Sequence, residues 1–272
     1  MKHMHKAKIS VSDRGFLYGD GIFETMRSYD GRIFKLNEHL ARLFEAAKVV
    51  KIKIPATKTG LKRSLQHFMK KNKLKDASLR ITITRGEGAF TLIKVKAGKP
   101  SIVIAGRKFK GYPAVFYSDG ICAEISAIRQ NEHSPLSGIK SLSFLNYILA
   151  RMHAQENGFN EAVLLNTRGF VAEAATSNIF LVKNKKIITP SLNNSILSGI
   201  TRSQIIKAAK LLGLKVHERT VSVRELLSAD EVFLTSSLAE VLPVVRIGRI
   251  QIGKGMPGTV TKLLHACYKK MI

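Results

Sequence analysis

Hydrophobic positions in the first 115 residues follow two different periods, which predicts a mixture of strands and helices. Leu79, Ile81 and Ile83 alternate with polar neighbours, as in a half-buried strand. Leucines at positions 40 and 43 instead have helical spacing, in a segment that Asn37 would cap. The elements predicted here are strands at 22–28, 32–35, 78–84 and 101–105, and helices at 37–47 and 61–71.

The pattern from about residue 116 onward predicts a second mixed region. Leu142, Leu145, Leu149 and Met152 lie at helical spacing and predict a helix that begins at Ser141 with these residues in the core. Short apolar stretches separated by turns predict an antiparallel meander. The elements predicted here are strands at 121–128, 162–166, 170–173, 178–182, 186–189 and 230–234, and helices after 141, 202, 222 and 259, the last with Val260, Leu263, Leu264 and Cys267 as core.

The composition indicates a globular chain of mixed α/β (α+β) class with two domains. The 272 residues are 45% hydrophobic, which supports a smaller N-terminal domain at 1–115 and a larger one at 116–272. Cys122 and Cys267 fit neither a disulfide framework nor a metal-ligand spacing, so we expect no metal site. Without a secretory signal or an apolar run of about 20 residues, a cytoplasmic protein with no membrane association is expected.

The net charge of +26 raises the possibility of a basic nucleic-acid-binding protein. The lysines are spread through the chain, few aromatic residues accompany them, and none of the common nucleic-acid motifs is present. Nucleic-acid binding is therefore kept as an alternative of a different class. The main interpretation of the charge is a basic surface that attracts small anionic ligands.

Two charged residues occupy unusual settings and carry the chemical hypothesis. Lys140 follows a glycine and enters an apolar segment, and Glu173 is the only charge in the small and apolar run 170–178. A lysine in apolar surroundings loses its proton readily and attacks carbonyl groups. Each of these positions, taken alone, is more often an ordinary surface charge.

Two turns rich in hydroxyl groups add an anion site to this pair. The turn 195–202 opens a helix, where backbone N–H groups attract anions, and the turn 235–238 is similar in composition. Arg42 borders the apolar face of its predicted helix. A lysine for an aldehyde, a carboxylate for a pyridine nitrogen and donors for a phosphate are the groups that pyridoxal 5′-phosphate requires.

Motifs along nearly the whole chain resemble those of the fold-type IV, or class IV, pyridoxal-phosphate enzymes. This family includes branched-chain aminotransferases, D-amino-acid aminotransferases and 4-amino-4-deoxychorismate lyases. The resemblance implies a two-domain fold like that of D-amino-acid aminotransferase, a homodimer, and a site between the domains. The matching motifs are Ser12-Asp13-Arg14-Gly15-Phe16, Gly19-Asp20-Gly21, Asn37-Glu38-His39-Leu40-x-Arg42-Leu43, Ile139-Lys140-Ser141, Glu173-x-x-x-Ser177-Asn178-Ile179-Phe180, Gly199-Ile200-Thr201-Arg202 and Ser236-Ser237-x-x-Glu240-Val241-x-Pro243.

The resemblance also implies a role for individual residues. Lys140 would be the catalytic lysine that binds the cofactor aldehyde as a Schiff base, and Thr25 would face the substrate. Glu173 would pair with the pyridine nitrogen. The remaining cofactor-binding residues would be Arg42, Ile200, Thr201 and Ser237 at the phosphate, Leu197 on the ring, and Ser177 and Asn178 at the border of the cofactor.

Within the family, the sequence is most similar to the aminodeoxychorismate lyases. Phe23 stands where D-amino-acid aminotransferases have tyrosine, their Arg-x-His pair is absent after Thr84-Arg85-Gly86, and the Gly-Asn-Tyr segment of branched-chain enzymes does not follow Lys140. We therefore expect a lyase that converts 4-amino-4-deoxychorismate to 4-aminobenzoate and pyruvate for folate biosynthesis. Arg80, Arg85 and Arg107 are candidates for the substrate carboxylates. The alternative is an aminotransferase acting on branched-chain or D-amino acids.

Overall fold

A computed structural model describes residues 8–90, 98–194 and 196–272. Its internal contacts divide the chain into two units. The first contains the residues up to Lys110 together with Ile139–Phe144, and the second contains Gly111–Gly138 and Leu145–Ile272. The short segment that carries Lys140 therefore groups with the first unit, although its neighbours on both sides along the chain belong to the second.

Four strands of the first unit's described residues form one antiparallel sheet in the order β2-β1-β3-β4. Its helices are α1 (Arg14–Tyr18), α2 (Leu36–Val49) and α3 (Lys58–Lys71), and its strands are β1 (Gly21–Tyr29), β2 (Arg32–Ile33), β3 (Ala77–Thr84) and β4 (Ile102–Lys108). The predicted alternation of β3 is confirmed, because Leu79, Ile81 and Ile83 are all fully buried. They form a core with leucines 40, 43, 61 and 65 of the two long helices.

The cap of α2 differs from the prediction. Asn37 lies inside the first turn, and Lys35 is the N-cap residue, with a left-handed backbone (φ 50°) and no side-chain capping bond. A local pattern cannot show this, because asparagine is favourable both at the cap and nearby in a turn. In α3, Thr57 caps the helix by accepting a hydrogen bond from the backbone of Gly60.

The segment Ile139–Phe144 is extended and pairs with β1, which corrects the prediction of a helix from Ser141. The backbone N–H of Phe23 donates to the carbonyl of Lys140 at 2.8 Å, and the N–H of Leu142 donates to the carbonyl of Gly21 at 2.9 Å. These bonds occupy the edge of β1 that β3 leaves open at this end of the strand. The hydrophobic spacing over this segment resembles a helix, but pairing with a distant strand decides its conformation.

The second unit is built on a mixed sheet in which nine strands are described, in the order β10-β9-β8-β11-β12-β5-β6-β7, with β13 paired to β12. Its strands are β5 (Ile121–Gln130), β6 (Glu161–Asn166), β7 (Val171–Ala174), β8 (Asn178–Lys183), β9 (Lys186–Thr189), β10 (Val216–Glu218), β11 (Glu231–Ser236), β12 (Glu240–Ile247) and β13 (Ile250–Gln251). Its helices are α4 (Val115–Ser118), α5 (Leu145–Glu156), α6 (Ile200–Leu211), α7 (Val223–Leu227) and α8 (Thr259–Lys269), with a 3-10 turn at Leu192–Asn194.

The predicted meander of β6 to β9 is wrong, because β7 and β8 are not partners in the sheet. β7 pairs with β6 at one edge, whereas β8 lies between β9 and β11. Both strands are fully buried, so their side chains carry no alternation from which the pairing could be predicted. The predicted capping box of Ser222 and Glu225 at the start of α7 is confirmed.

Two helices of the second unit bury different residues from those predicted. In α5, Leu145, Leu149 and Met152 are exposed, and Ala150 and Ala154 form the buried face. In α8, Leu264 is buried as predicted, but Leu263 is exposed and Tyr268 is fully buried. The alanine face of α5 packs against β6, and this leaves the larger apolar side chains on the outside.

None of the helices in the described ranges is long and apolar enough to cross a membrane. In the same ranges, no group of three or more histidine, cysteine, aspartate and glutamate side chains is arranged to hold a metal ion.

Candidate active site

Lys140 lies beside two aromatic rings in the first unit. Its Nζ atom is 4.9 Å from the ring centre of Phe23 and 5.8 Å from that of Phe144. The two rings meet edge to face at 5.5 Å. The side chain is half-buried, so the amine is partly screened from water by aromatic carbon. This setting favours the nucleophilic chemistry that the sequence suggested.

A buried glutamate on β1 organises the neighbouring polar groups. Glu24 lies on the face of the strand that also buries Ile22 and Met26. Arg42 donates from Nε to Oε1 of Glu24 at 2.7 Å and from Nη2 to Oε2 at 2.8 Å. His39, one turn earlier on α2, lies with Nδ1 2.8 Å from Oε2. The position of the Arg42 guanidinium is therefore fixed by a carboxylate that the sequence analysis did not select.

The electrostatics of this cluster keep Glu24 ionised. Burial alone would raise the pKa of Glu24, but the charge of Arg42 and the hydrogen bonds from Arg42 and His39 lower it to about 2. Burial lowers the pKa of His39, against the opposing effect of Glu24. Because an ionised carboxylate only accepts hydrogen bonds, Nδ1 of the neutral imidazole carries the hydrogen.

The opposite face of β1 carries the residues predicted to meet a substrate. Phe23 and Thr25 share this face, and Thr25 is paired with Arg80 of β3. The Arg80 guanidinium carbon is 3.6 Å from the centre of the Phe23 ring. Of the three candidate arginines, Arg80 thus lies on the same ring as Lys140. Arg85 instead binds Asp20 and the carbonyls of residues 50 and 51, and Arg107 is exposed on β4.

Glu173 is buried on β7 in the second unit and accepts several hydrogen bonds. Its Oε2 accepts from the backbone N–H of Leu197 at 3.1 Å and from Nδ2 of Asn178 at 3.3 Å. Its Oε1 accepts from Nε2 of Gln130 at 3.4 Å. The phenol of Tyr147 on α5 donates a further hydrogen bond to this carboxylate. Donors of this kind stabilise the ionised form of a carboxylate.

Asn178 and Leu197 connect this carboxylate to the start of α6. Besides its bond to Glu173, Nδ2 of Asn178 donates to the carbonyl of Leu197 at 2.9 Å. A Cβ atom on Gly199 would lie 1.9 Å from Oδ1 of the same asparagine, so the position requires glycine. Ser177 closes the turn between β7 and β8, where its carbonyl accepts a hydrogen bond from the backbone of Ala174 at 2.7 Å.

The first turn of α6 offers backbone donors to an anion. Gly199 is its N-cap and makes no side-chain capping bond to Ile200 or Thr201. Arg202 in the same turn donates to the carbonyl of Pro190 at 3.0 Å and to Glu218 at 2.7 Å, which anchors the helix start. The positive end of a helix dipole attracts phosphate groups.

Ser237 follows the end of β11, at the same end of the sheet as the start of β8. Within that sheet, Thr235 of β11 is directly paired with Asn178 of β8. Of the residues predicted to bind the cofactor, the second unit thus brings together the carboxylate, the asparagine and the helix start. The first unit brings together Lys140 and Arg42 around Phe23 and Glu24, with Thr25 on the same strand.

Sequence reasoning missed several of the residues that hold these groups. Glu24 and His39 are visible in the sequence only as members of motifs, and neither has a charge pattern that predicts burial. Gln130 ends a strand, and Tyr147 is one aromatic residue in an apolar helix. Their contacts with Glu173 depend on pairing between distant segments, which local sequence does not encode.

Comparison with known proteins decides the family. The family model described as amino-transferase class IV matches residues 21–247. The chain belongs to the class IV aminotransferase family. The predicted family resemblance and the predicted fold class are therefore confirmed. The class IV chain is an enzyme that depends on pyridoxal 5′-phosphate, and not the nucleic-acid-binding protein considered from its charge.

Relatives of this class IV chain include enzymes with different reactions. A protein of Methanocaldococcus jannaschii, provisionally named a branched-chain-amino-acid aminotransferase, is 41% identical over 97% of this chain and 91% of its own length. The aminodeoxychorismate lyase of Bacillus subtilis is 33% identical over 98% and 90%. The T.th. branched-chain amino acid aminotransferase, solved with pyridoxamine 5′-phosphate, has a TM-score of 0.94, 30% identity, and coverage of 99% and 90%.

The lyase prediction is wrong. The sequence relative at 41% identity and the structure at TM-score 0.94 both carry the name of branched-chain aminotransferases, and the lyase is a weaker match. The prediction gave too much weight to the residues that follow Lys140. Residues 141–144 pair as an extended segment with β1, so their identity reflects the pairing and packing of that segment as well as the reaction.

The residues of this class IV enzyme fit its cofactor. Glu173 is a buried carboxylate that several donors hold, as a pyridine nitrogen requires. The α6 start combines backbone donors with a glycine that no larger residue can replace beside Asn178. Lys140 has an amine on an aromatic surface.

Proposed function

We propose that the enzyme is an aminotransferase that transfers the amino group of a branched-chain amino acid to a keto acid. The observation that supports this most strongly is the 41% identity, over 97% of the chain, to a relative named for that reaction. The apolar setting of Lys140 is consistent with it, since Phe23 and Phe144 offer aromatic carbon to an aliphatic side chain.

Lys140 is proposed to bind the cofactor aldehyde and to act as the general acid and base. Pyridoxal phosphate supplies an aldehyde that exchanges with the substrate amine and a ring that accepts electrons when a bond to the substrate Cα breaks. Nζ of Lys140 would take the proton from Cα and return it to the carbon from which the amine departs. The aromatic rings beside Nζ limit the access of water to this proton.

Glu173 is proposed to pair with the pyridine nitrogen. Its hydrogen bonds from Leu197 and Asn178 hold the carboxylate ionised and fixed in direction. An ionised carboxylate keeps a proton on the ring nitrogen, which increases the capacity of the ring to accept electrons. Leu197 is proposed to pack on the ring, and Ser177 and Asn178 to border it.

The phosphate is proposed to bind to Arg42, Ile200, Thr201 and Ser237. The two bonds to Glu24 use two of the five N–H groups of the Arg42 guanidinium. Ile200 and Thr201 would contribute backbone N–H groups at the α6 start, and Ser237 a hydroxyl group. Backbone donors and a guanidinium are the usual ligands of a dianionic phosphate.

Arg80 is proposed to bind a substrate carboxylate, with Thr25 beside it on the same face of the sheet. The guanidinium lies against the Phe23 ring, whose centre is also 4.9 Å from Nζ of Lys140. A planar guanidinium binds a carboxylate with two parallel hydrogen bonds.

The family resemblance implies a homodimer, and α5 supplies a surface suited to it. Leu145, Ile148, Leu149 and Met152 form one exposed apolar stripe at helical spacing. An exposed stripe of this size marks an interaction surface. We propose that this stripe contacts a second copy of the chain.

The proposed reaction is tested by incubating the purified enzyme and pyridoxal phosphate with L-leucine and 2-oxoglutarate and measuring L-glutamate. We expect glutamate from L-leucine, L-isoleucine and L-valine, and little from D-alanine. Glutamate formed only from D-alanine would assign a D-amino-acid aminotransferase instead. The absence of amino transfer from all four amino acids, in a protein that binds the cofactor, would refute the proposal.

A further inference from the structure

Tyr147 and Arg151 lie one turn apart on α5 and reach the turn that follows β7. Tyr147 packs beside the buried cluster formed by Ala150, Ala154 and neighbours on β6. Its phenol donates to the carboxylate of Glu173. Arg151 donates from Nη1 to the hydroxyl of Thr176, three residues further along, at 3.1 Å. One helix therefore holds both the carboxylate and the turn behind it.

The phenol differs from the other donors to Glu173. The bonds from Gln130 and Asn178 are long, at 3.4 and 3.3 Å, and come from neutral amides. The bond from the Leu197 backbone is 3.1 Å. An O–H group is a stronger donor to an ionised carboxylate than an amide N–H and forms shorter bonds. Tyr147 is therefore expected to contribute more than either amide to the stability of the ionised form.

The environment keeps this phenol protonated. Burial raises the pKa of Tyr147, and the charge and hydrogen bond of Glu173 raise it further. The groups around Glu173 on β5 and β8 are the neutral amides of Gln130 and Asn178. The nearest charged groups of this network are Arg151 and Glu161, 3.7 Å apart, and burial raises the pKa of Glu161. The phenol thus remains a donor over the whole range in which Glu173 titrates.

We propose that Tyr147 is a positioning residue for the cofactor, which acts by donating its phenolic hydrogen to Glu173 and so keeps that carboxylate ionised to lower pH. The proposal rests on the proposed pairing of Glu173 with the pyridine nitrogen. When Glu173 gains a proton, it loses its attraction for a protonated pyridine, so cofactor affinity falls as the pH falls. Without the phenol, the pKa of Glu173 rises and this fall begins at a higher pH.

The simpler interpretation is that Tyr147 only fills space beside the alanines of α5. Phenylalanine keeps the ring and removes the hydroxyl, so Tyr147→Phe separates the two interpretations. Tyr268→Phe is the matched control, because Tyr268 is fully buried on α8 and has no assigned role at the site. Arg151→Met loosens the turn at Thr176 without removing a donor to Glu173.

The experiment measures the dissociation constant of pyridoxal phosphate for each apoprotein, from its visible absorbance, over the pH range in which the protein stays folded. Titration of the cofactor and of Lys140 is common to all variants and cancels in the comparison. We expect Tyr147→Phe to weaken binding about tenfold at the acid end, for a pKa change of about one unit, and to move the fall to higher pH. Tyr147→Gln, which restores a neutral donor, should recover part of this change.

Glu173→Gln makes the outcomes distinguishable. It should weaken binding at neutral pH and remove the component of the pH dependence that belongs to this carboxylate. If Glu173→Gln does so and Tyr147→Phe gives the wild-type profile, Tyr147 only packs and the inference is overturned. The same holds if Arg151→Met or Tyr268→Phe reproduces the Tyr147→Phe profile. If Glu173→Gln itself leaves the profile unchanged, the assigned role of Glu173 fails instead.

Discussion

Arg42 donates two hydrogen bonds to the buried carboxylate of Glu24, at 2.7 and 2.8 Å. This pair joins α2 to β1 and fixes the guanidinium that is proposed to bind the phosphate. Removal of one partner would leave the other charge without compensation in a mostly buried site, which is more costly than the loss of a surface pair.

Glu24→Gln is therefore expected to lower the free energy of unfolding by about 3 kcal/mol at neutral pH. The pKa of Glu24 is about 2 in the folded chain, against an ordinary value of 4.5. Its contribution is fully present above the ordinary value and is lost as the pH falls from 4.5 towards 2. Urea unfolding at several pH values should thus show the difference between the two proteins shrinking in this interval.

Glu45→Gln is the control for this prediction. Glu45 pairs with Lys48 on the exposed surface of α2, so its loss should change stability by less than about 1 kcal/mol. Equal effects of Glu24→Gln and Glu45→Gln would show that the Glu24 pair has no special weight.

Gly199→Ala tests the contact between the start of α6 and Asn178. The new Cβ would lie 1.9 Å from Oδ1 of Asn178, so the asparagine or the helix start must move. We expect a stability loss of about 1–3 kcal/mol and a clear loss of cofactor affinity, measured by thermal unfolding and by absorbance titration. Gly60→Ala, in the first turn of α3, should leave cofactor binding unchanged. Wild-type affinity in Gly199→Ala would show that this helix start does not bind the cofactor.

Arg80→Met tests the proposed site for a substrate carboxylate. It should raise KM for 2-oxoglutarate about 10- to 100-fold, because a charged hydrogen-bonded pair is lost, and change cofactor affinity little. Arg107→Met is the matched control, since Arg107 is exposed on β4. If Arg107→Met has the larger effect on KM, the assignment of Arg80 is wrong.

The apolar stripe of α5 predicts the effect of a charge at the proposed dimer surface. Leu149→Glu should convert the dimer to a monomer, because a charge would be buried without a partner. Leu211→Glu is the control, because Leu211 is 78% exposed at the end of α6. Light scattering over a range of concentrations measures both. A dimer that persists in Leu149→Glu would place the contact elsewhere.

The sequence was sufficient to predict most elements and the family, but not the pairing of distant segments. The alternation of Leu79, Ile81 and Ile83 and the capping box at Ser222 are local patterns, and both predictions are confirmed. Lys140 was selected for its chemistry, yet its segment was predicted as a helix. The hydrogen bonds from β1 that make it extended are non-local and leave no periodic signal.

The residues that support the site were also beyond local reasoning. Glu24 holds Arg42, and Tyr147 and Gln130 hold Glu173, each across elements that are distant in sequence. Single residues of these types are usually ordinary strand or helix residues, so their sequence context gave no reason to select them. The substrate prediction failed for a related cause, since a few positions near the lysine were weighted above the similarity of the whole chain.

The most direct test of the central claim is an absorbance measurement on the purified enzyme with bound pyridoxal phosphate. We expect a visible band that L-leucine abolishes and that 2-oxoglutarate restores, and no such reversible band in Lys140→Ala. A band that L-leucine leaves unchanged, or a reversible cycle that survives in Lys140→Ala, would contradict the account.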